Sequence, residues 1–138
     1  MSNVFSAELL VSFVSHVGVG FGLILLGLRV FALTTKFSER QLIKEGNLAV
    51  ALKLWGKALG LAIVIFTVWA SSVSLLDAFL WGLIGIATQV IAYFIIEYVL
   101  TPKTNLAKKV EEGNTAVGFS LFAASIVVGI VVAASLTY

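Results

Sequence analysis

Four stretches of this chain, roughly residues 8–34, 48–72, 75–100 and 115–137, are long runs of apolar residues. Crossing the hydrocarbon core of a bilayer takes about 20 such residues in a helix. Only a helix or a closed barrel bonds every backbone N–H and C=O once water is gone. Four such runs in 138 residues leave too little polar chain to cover them as core helices in water. Hydrophobic residues make up 60% of the sequence and charged residues 12%, against about a quarter charged in an ordinary soluble domain. The pattern predicts an all-α membrane protein with four transmembrane helices, a single integral membrane domain over residues 1–138. The second run carries Lys53 and Lys57 near its start, so its apolar core can be drawn from nearer Ala58 to about Leu76. No Lys or Arg precedes the first run and Glu8 stands there instead, so it lacks the basic head of a signal peptide and reads as a retained helix.

All nine Lys and Arg residues fall at one end of these spans. Arg29, Lys36, Arg40, Lys44, Lys53 and Lys57 surround the first connection, and Lys103, Lys108 and Lys109 the second. The positive-inside rule then places the loops near 36–46 and 102–113 in the cytoplasm and both termini on the periplasmic or extracellular side. Trp69 and Trp81 flank the outer turn as aromatic belt residues would, with Tyr138 at the same level.

The phrase KEGNLAVAL at 44–52 returns as EEGNTAVGF at 111–119, 67 residues later and without a gap. LTTK at 33–36 likewise meets LTPK at 100–103, and Gly18 meets Gly85. The predicted unit is helix, basic loop, helix, written as repeat one over 8–71 and repeat two over 75–138. An even number of spans per unit makes the two copies parallel, related by a pseudo-twofold along the membrane normal. Ser38 and Gln41 fit a capping box, which predicts a short amphipathic cytoplasmic helix in the loop. Gly46 can end that helix in a left-handed conformation and Asn47 can cap the next, with Gly113 and Asn114 as counterparts. On a second reading Asn47 and Asn114 line a cytoplasmic vestibule.

These EGN phrases carry a resemblance across essentially the whole chain. It resembles the YjfL-like family of small bacterial inner-membrane proteins, catalogued as a domain of unknown function. That family has a duplicated two-helix unit with a Gly-Asn-Ala-type signature after each cytoplasmic loop. The resemblance implies a bacterial inner-membrane location and carries no established activity. Members often appear near phage-shock-type membrane-stress proteins and polyamine-conjugating ligases, which implies a role at a stressed inner membrane; a cytoplasmic stress-response partner is the expectation that goes with it.

Charges inside a span are expensive in lipid and face the bundle or water. Arg29 and Glu97 sit at similar depth on the first and third spans, so an Arg29–Glu97 pair is the preferred partnership. Lys53 competes for it, and separate snorkelling to the interface is the alternative. Lys53 and Lys57 share a face at i, i+4 and align with Ser120 and Ala124 of repeat two. They are expected to reach anionic headgroups, or to form a basic ring at a pore mouth. Gln89, Tyr93 and Glu97 follow one another at spacings of four, and Gln89 is expected to hydrogen-bond a neighbouring helix through His16. His16 also reads as a proton relay or a metal ligand, although one histidine without clustered carboxylates is poor metal chemistry. Asp77 fits the favourable end of a helix dipole. Gly18–Gly22, Gly56–Gly60 and Ser125–Gly129–Ala133 are spaced for close helix packing.

Catalysis has no residues to rest on here. There is no cysteine, no Ser-His-Asp set and no phosphate-binding glycine loop, so no catalytic, cofactor-binding or metal residue is assigned. Glu39, Glu45, Glu111 and Glu112 dilute the basic loops, which argues against nucleic acid. Two readings remain. One is an oligomeric scaffold or sensor that docks anionic lipid or a stress-response partner through Lys36, Arg40, Lys44, Lys103, Lys108 and Lys109. The other is an oligomeric channel or small-solute transporter lined by Asn47, Asn114, Gln89, Lys57 and Glu97.

Overall fold

A helix can start where a short polar side chain takes over backbone N–H groups that have no partner in the first turn. The computed structural model describes residues 6–33, 37–100 and 106–136. Among these the order is α1 Ala7–Ala32, α2 Glu39–Lys44, α3 Leu48–Ser71, α4 Leu75–Leu100, α5 Leu106–Glu111 and α6 Thr115–Ser135. Lys36, Lys103 and Tyr138, named above, lie outside the described residues. Ser6 opens α1 by accepting from the Leu9 N–H at 3.2 Å. Ser38 opens α2 by accepting from the Gln41 N–H at 3.2 Å, but the Gln41 side chain donates to Glu45 instead of closing a box. Asn47 opens α3 by accepting from the Val50 N–H at 3.0 Å, and Asn114 opens α6 through the Val117 N–H at 3.2 Å.

The two short helices end alike. Gly46 and Gly113 have φ of +88° and +89°, a region any residue with a Cβ enters only with strain. The Asn47 N–H reaches back to Leu42 O at 2.9 Å and the Asn114 N–H to Lys109 O at 3.0 Å. Gly46 donates to Ile43 O and Gly113 to Val110 O, which completes a Schellman turn at each place. On the opposite side, Ser74 accepts from the Asp77 N–H at 3.1 Å while Asp77 Oδ2 accepts from the Val73 N–H at 3.1 Å. Asp77 is therefore a reciprocal cap for α4 in addition to any dipole effect, and Ser74 is the partner that sequence reading passed over.

α1, α3, α4 and α6 are long and apolar enough to cross a membrane. At about 1.5 Å per residue even α6, with 21 residues, covers a hydrocarbon core of about 30 Å. Four hydroxyls inside these helices bond within them: Thr67, Thr88, Ser120 and Ser135 each donate to the carbonyl four residues back. The second span differs from the shorter reading of its core. α3 begins at Leu48 and ends at Ser71, and Leu76 belongs to α4. The lysines did not delay the helix, because Asn47 starts it and the bundle takes the lysines inside.

α3 is the hub. It packs on all five other helices and most extensively on α6. Half of the most apolar stretch of α3 is buried, against 11% of that of α1, which makes α1 the most open of the four long helices. Gly56 and Gly60 give α3 its seam with α6. A methyl placed on Gly56 would lie 2.6 Å from Phe122 Cα, and one on Gly60 would lie 2.6 Å from Ser125 O. Gly118 and Gly129 return the contact against Ala49 and Gly60. In lipid no hydrophobic drive brings helices together, so backbone approach of this kind supplies dispersion contact instead. Gly18 and Gly22 do not take part, since nothing among the described residues lies within 4 Å of a methyl on either. The close-packed glycine of α1 is Gly27, where a methyl would lie 2.8 Å from Leu61 Cδ1; one on Gly20 would meet Ile65 and Trp69 at an ordinary 3.7 Å.

Candidate functional site

Lys53 and Lys57 lie one turn apart on the face of α3 that looks into the bundle, and their relative exposures are 4% and 2%. They do not reach outward to the interface. Lys53 Nζ meets Glu39 Oε2 of α2 at 3.7 Å and stands 5.2 Å from the Phe37 ring centre. Lys57 Nζ lies 4.6 Å from the Phe31 ring centre on α1 and 5.1 Å from that of Tyr93 on α4. Two rings around one ammonium replace part of its lost hydration, since each desolvated cation–π contact is worth about 2 kcal/mol. Phe31 and Tyr93 also meet edge to face at 5.3 Å, which fixes the cage they form.

Glu97 stands one turn beyond Tyr93 on α4 and is half-buried. Arg29 is exposed and lies in a groove with Phe37, Glu39 and Arg40. Arg29 thus lies on the exposed side of α1, whereas Lys57 is buried in the bundle and Glu97 is half-buried one turn from Tyr93. Equal depth left the rotation of each helix open, and rotation decides partners. Beside Tyr93 and Glu97 is a cavity of about 70 Å³, closed by Leu106 of α5 and by Ser120 and Ala124 of α6. Ser120 and Ala124 are the residues that align with Lys53 and Lys57. The Tyr93 hydroxyl is buried and has no hydrogen-bond partner among the described residues.

A second polar point lies deeper in the bundle. Gln89 is fully buried, and its Nε2 donates to Ser125 O on α6 at 3.3 Å. This amide fits only because Gly60 is bare: a methyl there would come within 2.7 Å of Gln89 Nε2. His16 is elsewhere. Its Nδ1 is 2.7 Å from Ser12 O in its own helix, and its ring meets Trp69 edge to face at 6.0 Å. Trp69 Nε1 donates to His16 O at 3.1 Å, so Trp69 ties α3 to α1, while Trp81 is exposed. Thus Gln89 does find a neighbouring helix, but the acceptor is a backbone carbonyl of α6 and not His16.

Asn47 joins the two loops. Its Oδ1 caps α3, and its Nδ2 donates to Val110 O at 3.2 Å and Glu111 O at 3.1 Å at the end of α5. Asn114 caps α6 but is exposed. Val110 is fully buried where α5 meets the bundle. Arg40, Lys44, Lys108 and Lys109 all remain exposed around these short helices. Sequence reading missed Glu39 as the partner of Lys53, Phe31 as half of the Lys57 cage, and the carbonyls held by Asn47. None of these has a local signal, because each joins separate elements.

The chain is similar to curated proteins over nearly its full length. It is 38% identical to the UPF0719 transmembrane protein YshE of Bacillus subtilis, over 99% of this chain and 100% of that one. It is 29% identical to the UPF0719 inner membrane protein YjfL of Escherichia coli K12, over 94% of this chain and 96% of that one. No solved structure matches it. The model of the family described as Domain of Unknown Function (DUF350) matches residues 5–136, so this four-span helical chain belongs to that family.

Proposed function

We propose that the chain is a non-enzymatic, oligomeric inner-membrane scaffold or sensor whose cytoplasmic short helices dock anionic lipid or a stress-response partner. The inner-membrane location draws support from the name of the Escherichia coli relative and from the four apolar helices. The clustering of Lys and Arg at one end of the spans favours cytoplasmic loops with both termini outside. Two tandem halves are favoured by the matched Schellman turns and asparagine caps at Gly46-Asn47 and Gly113-Asn114. The observation that carries the docking reading is the Lys53–Glu39 pair. It ties α2, which presents exposed Arg40 and Lys44, to a lysine inside a spanning helix, so events at the loop are felt in the bundle. Asn47 does the same for α5.

Native mass spectrometry of protein in equal phosphatidylglycerol and phosphatidylcholine tests this reading. Wild type should retain phosphatidylglycerol preferentially. Replacing Lys36, Arg40, Lys44, Lys103, Lys108 and Lys109 by Gln should remove the preference, and equal retention before and after would sink the docking reading.

A second reading, transport of an ion or small solute, is favoured by Lys57 and Glu97 lying inside spanning helices, since intramembrane charges commonly mark substrate or ion pathways. It predicts flux into proteoliposomes that changes when Lys57 or Glu97 is neutralised. The burial of Lys57 within the subunit speaks against a basic ring at the mouth of a pore.

A further inference from the structure

The end of α1, the start of α2 and the adjoining turn of α3 enclose an open groove of about 760 Å³. Its walls are apolar, with Leu25 and Leu28 from α1 and Leu54 from α3, and its rim carries Arg29 and Arg40. Glu39 also borders it. Its Oε2 is buried and lies 3.7 Å from Lys53 Nζ, so the bundle takes up its charge. Arg29 and Arg40 are both exposed. The groove therefore presents two guanidiniums above a hydrocarbon floor, with the neighbouring carboxylate already matched on its inner side.

We propose that this groove seats one anionic phospholipid, its phosphate between Arg29 and Arg40 and the upper part of its acyl chains along Leu25, Leu28 and Leu54. The proposal rests on the docking reading above and deepens it by naming the ligand class and the place. Charge complementarity and depth select this occupant. Arg29 lies in the last turn of α1 and Arg40 in the first turn of α2, at the end of the bundle where the described Lys and Arg residues gather. That is the level of lipid phosphates when the positive-inside rule holds. Guanidinium is suited to phosphate because its planar fork donates two parallel hydrogen bonds. A volume in the range of small-molecule sites, about 300–1,000 Å³, takes a glycerol-phosphate and the first acyl carbons, and the tails continue along open α1. A soluble phosphate would gain nothing from the leucine floor, so the site discriminates lipid from free anion.

The test compares two variants of the full chain in equal phosphatidylglycerol and phosphatidylcholine, with bound lipids counted by native mass spectrometry. Arg29→Gln/Arg40→Gln should lower phosphatidylglycerol retention about tenfold for each guanidinium removed from the phosphate. Lys44→Gln/Lys108→Gln/Lys109→Gln should retain its tightest phosphatidylglycerol. All these side chains are exposed, so folding should survive, and an unchanged size-exclusion profile checks it. A drop in retention confined to the lysine variant would overturn the groove and leave the docking reading standing. An equal drop in both would mean diffuse attraction, which also overturns the groove. Retention unchanged in both would overturn the groove. Displacement of the bound phosphatidylglycerol by inorganic phosphate alone would show that the apolar floor plays no part, and would overturn the lipid assignment.

Discussion

At Asn47 one amide serves two helices, capping α3 with its oxygen and gripping two carbonyls of α5 with its nitrogen. Asn114 holds the equivalent place in the second loop and caps α6 in the same way. Two residues that match in sequence should therefore differ in what they contribute. Asn47→Ala should lower stability by about 2–3 kcal/mol and Asn114→Ala by about 1 kcal/mol. Thermal unfolding of both variants in one detergent measures the difference; equal losses would show that the bond to α5 carries no weight. The caps themselves were legible in the sequence because a cap is a local device: glycine, asparagine and the start of an apolar run stand side by side. The grip on Val110 and Glu111 was not legible, since it joins residues 63 and 64 positions apart. The same holds for Lys57, whose rings come from α1 and α4.

The seam between α3 and α6 decides how the elements pack. Gly60 sits at its centre, with Ser125 O, the Gln89 amide and the Gly129 backbone all pressed against it. Gly60→Leu should cost at least the 1–3 kcal/mol typical of overpacking, and more because backbone cannot move aside as a side chain can. Gly22→Leu, which meets nothing, should leave the midpoint of unfolding in detergent within about 0.5 kcal/mol of wild type. Comparable losses in both would mean that α1 has a packing partner on its open face. Span positions were readable to within about two residues: the first run was drawn at 8–34 and α1 is Ala7–Ala32. Length and apolarity alone set them. Which small residues pack was not readable, because glycines lie on several faces of these helices and the spacing Gly18–Gly22 looks the same as Gly56–Gly60. Only the neighbouring backbone tells them apart.

Three spans pack around a fourth, α3, with the described Lys and Arg residues gathered at one end and Lys53 and Lys57 drawn inside. The orientation of the molecule can be read directly, because the chain has no native cysteine. Ser74→Cys should react with an impermeant maleimide in intact spheroplasts, whereas Lys44→Cys and Lys109→Cys should react only after permeabilisation. The opposite pattern would reverse the orientation. With Lys57 buried in the bundle and Arg29 exposed on α1, Glu97 is expected to depend on Lys57 rather than on Arg29. Charge exchange tests it most directly, read as the yield of monodisperse protein after size-exclusion chromatography. Lys57→Glu and Glu97→Lys should each lose yield, and Lys57→Glu/Glu97→Lys together should recover most of it, while Arg29→Glu/Glu97→Lys should recover none. Recovery in the Arg29 pair without recovery in the Lys57 pair would contradict the account.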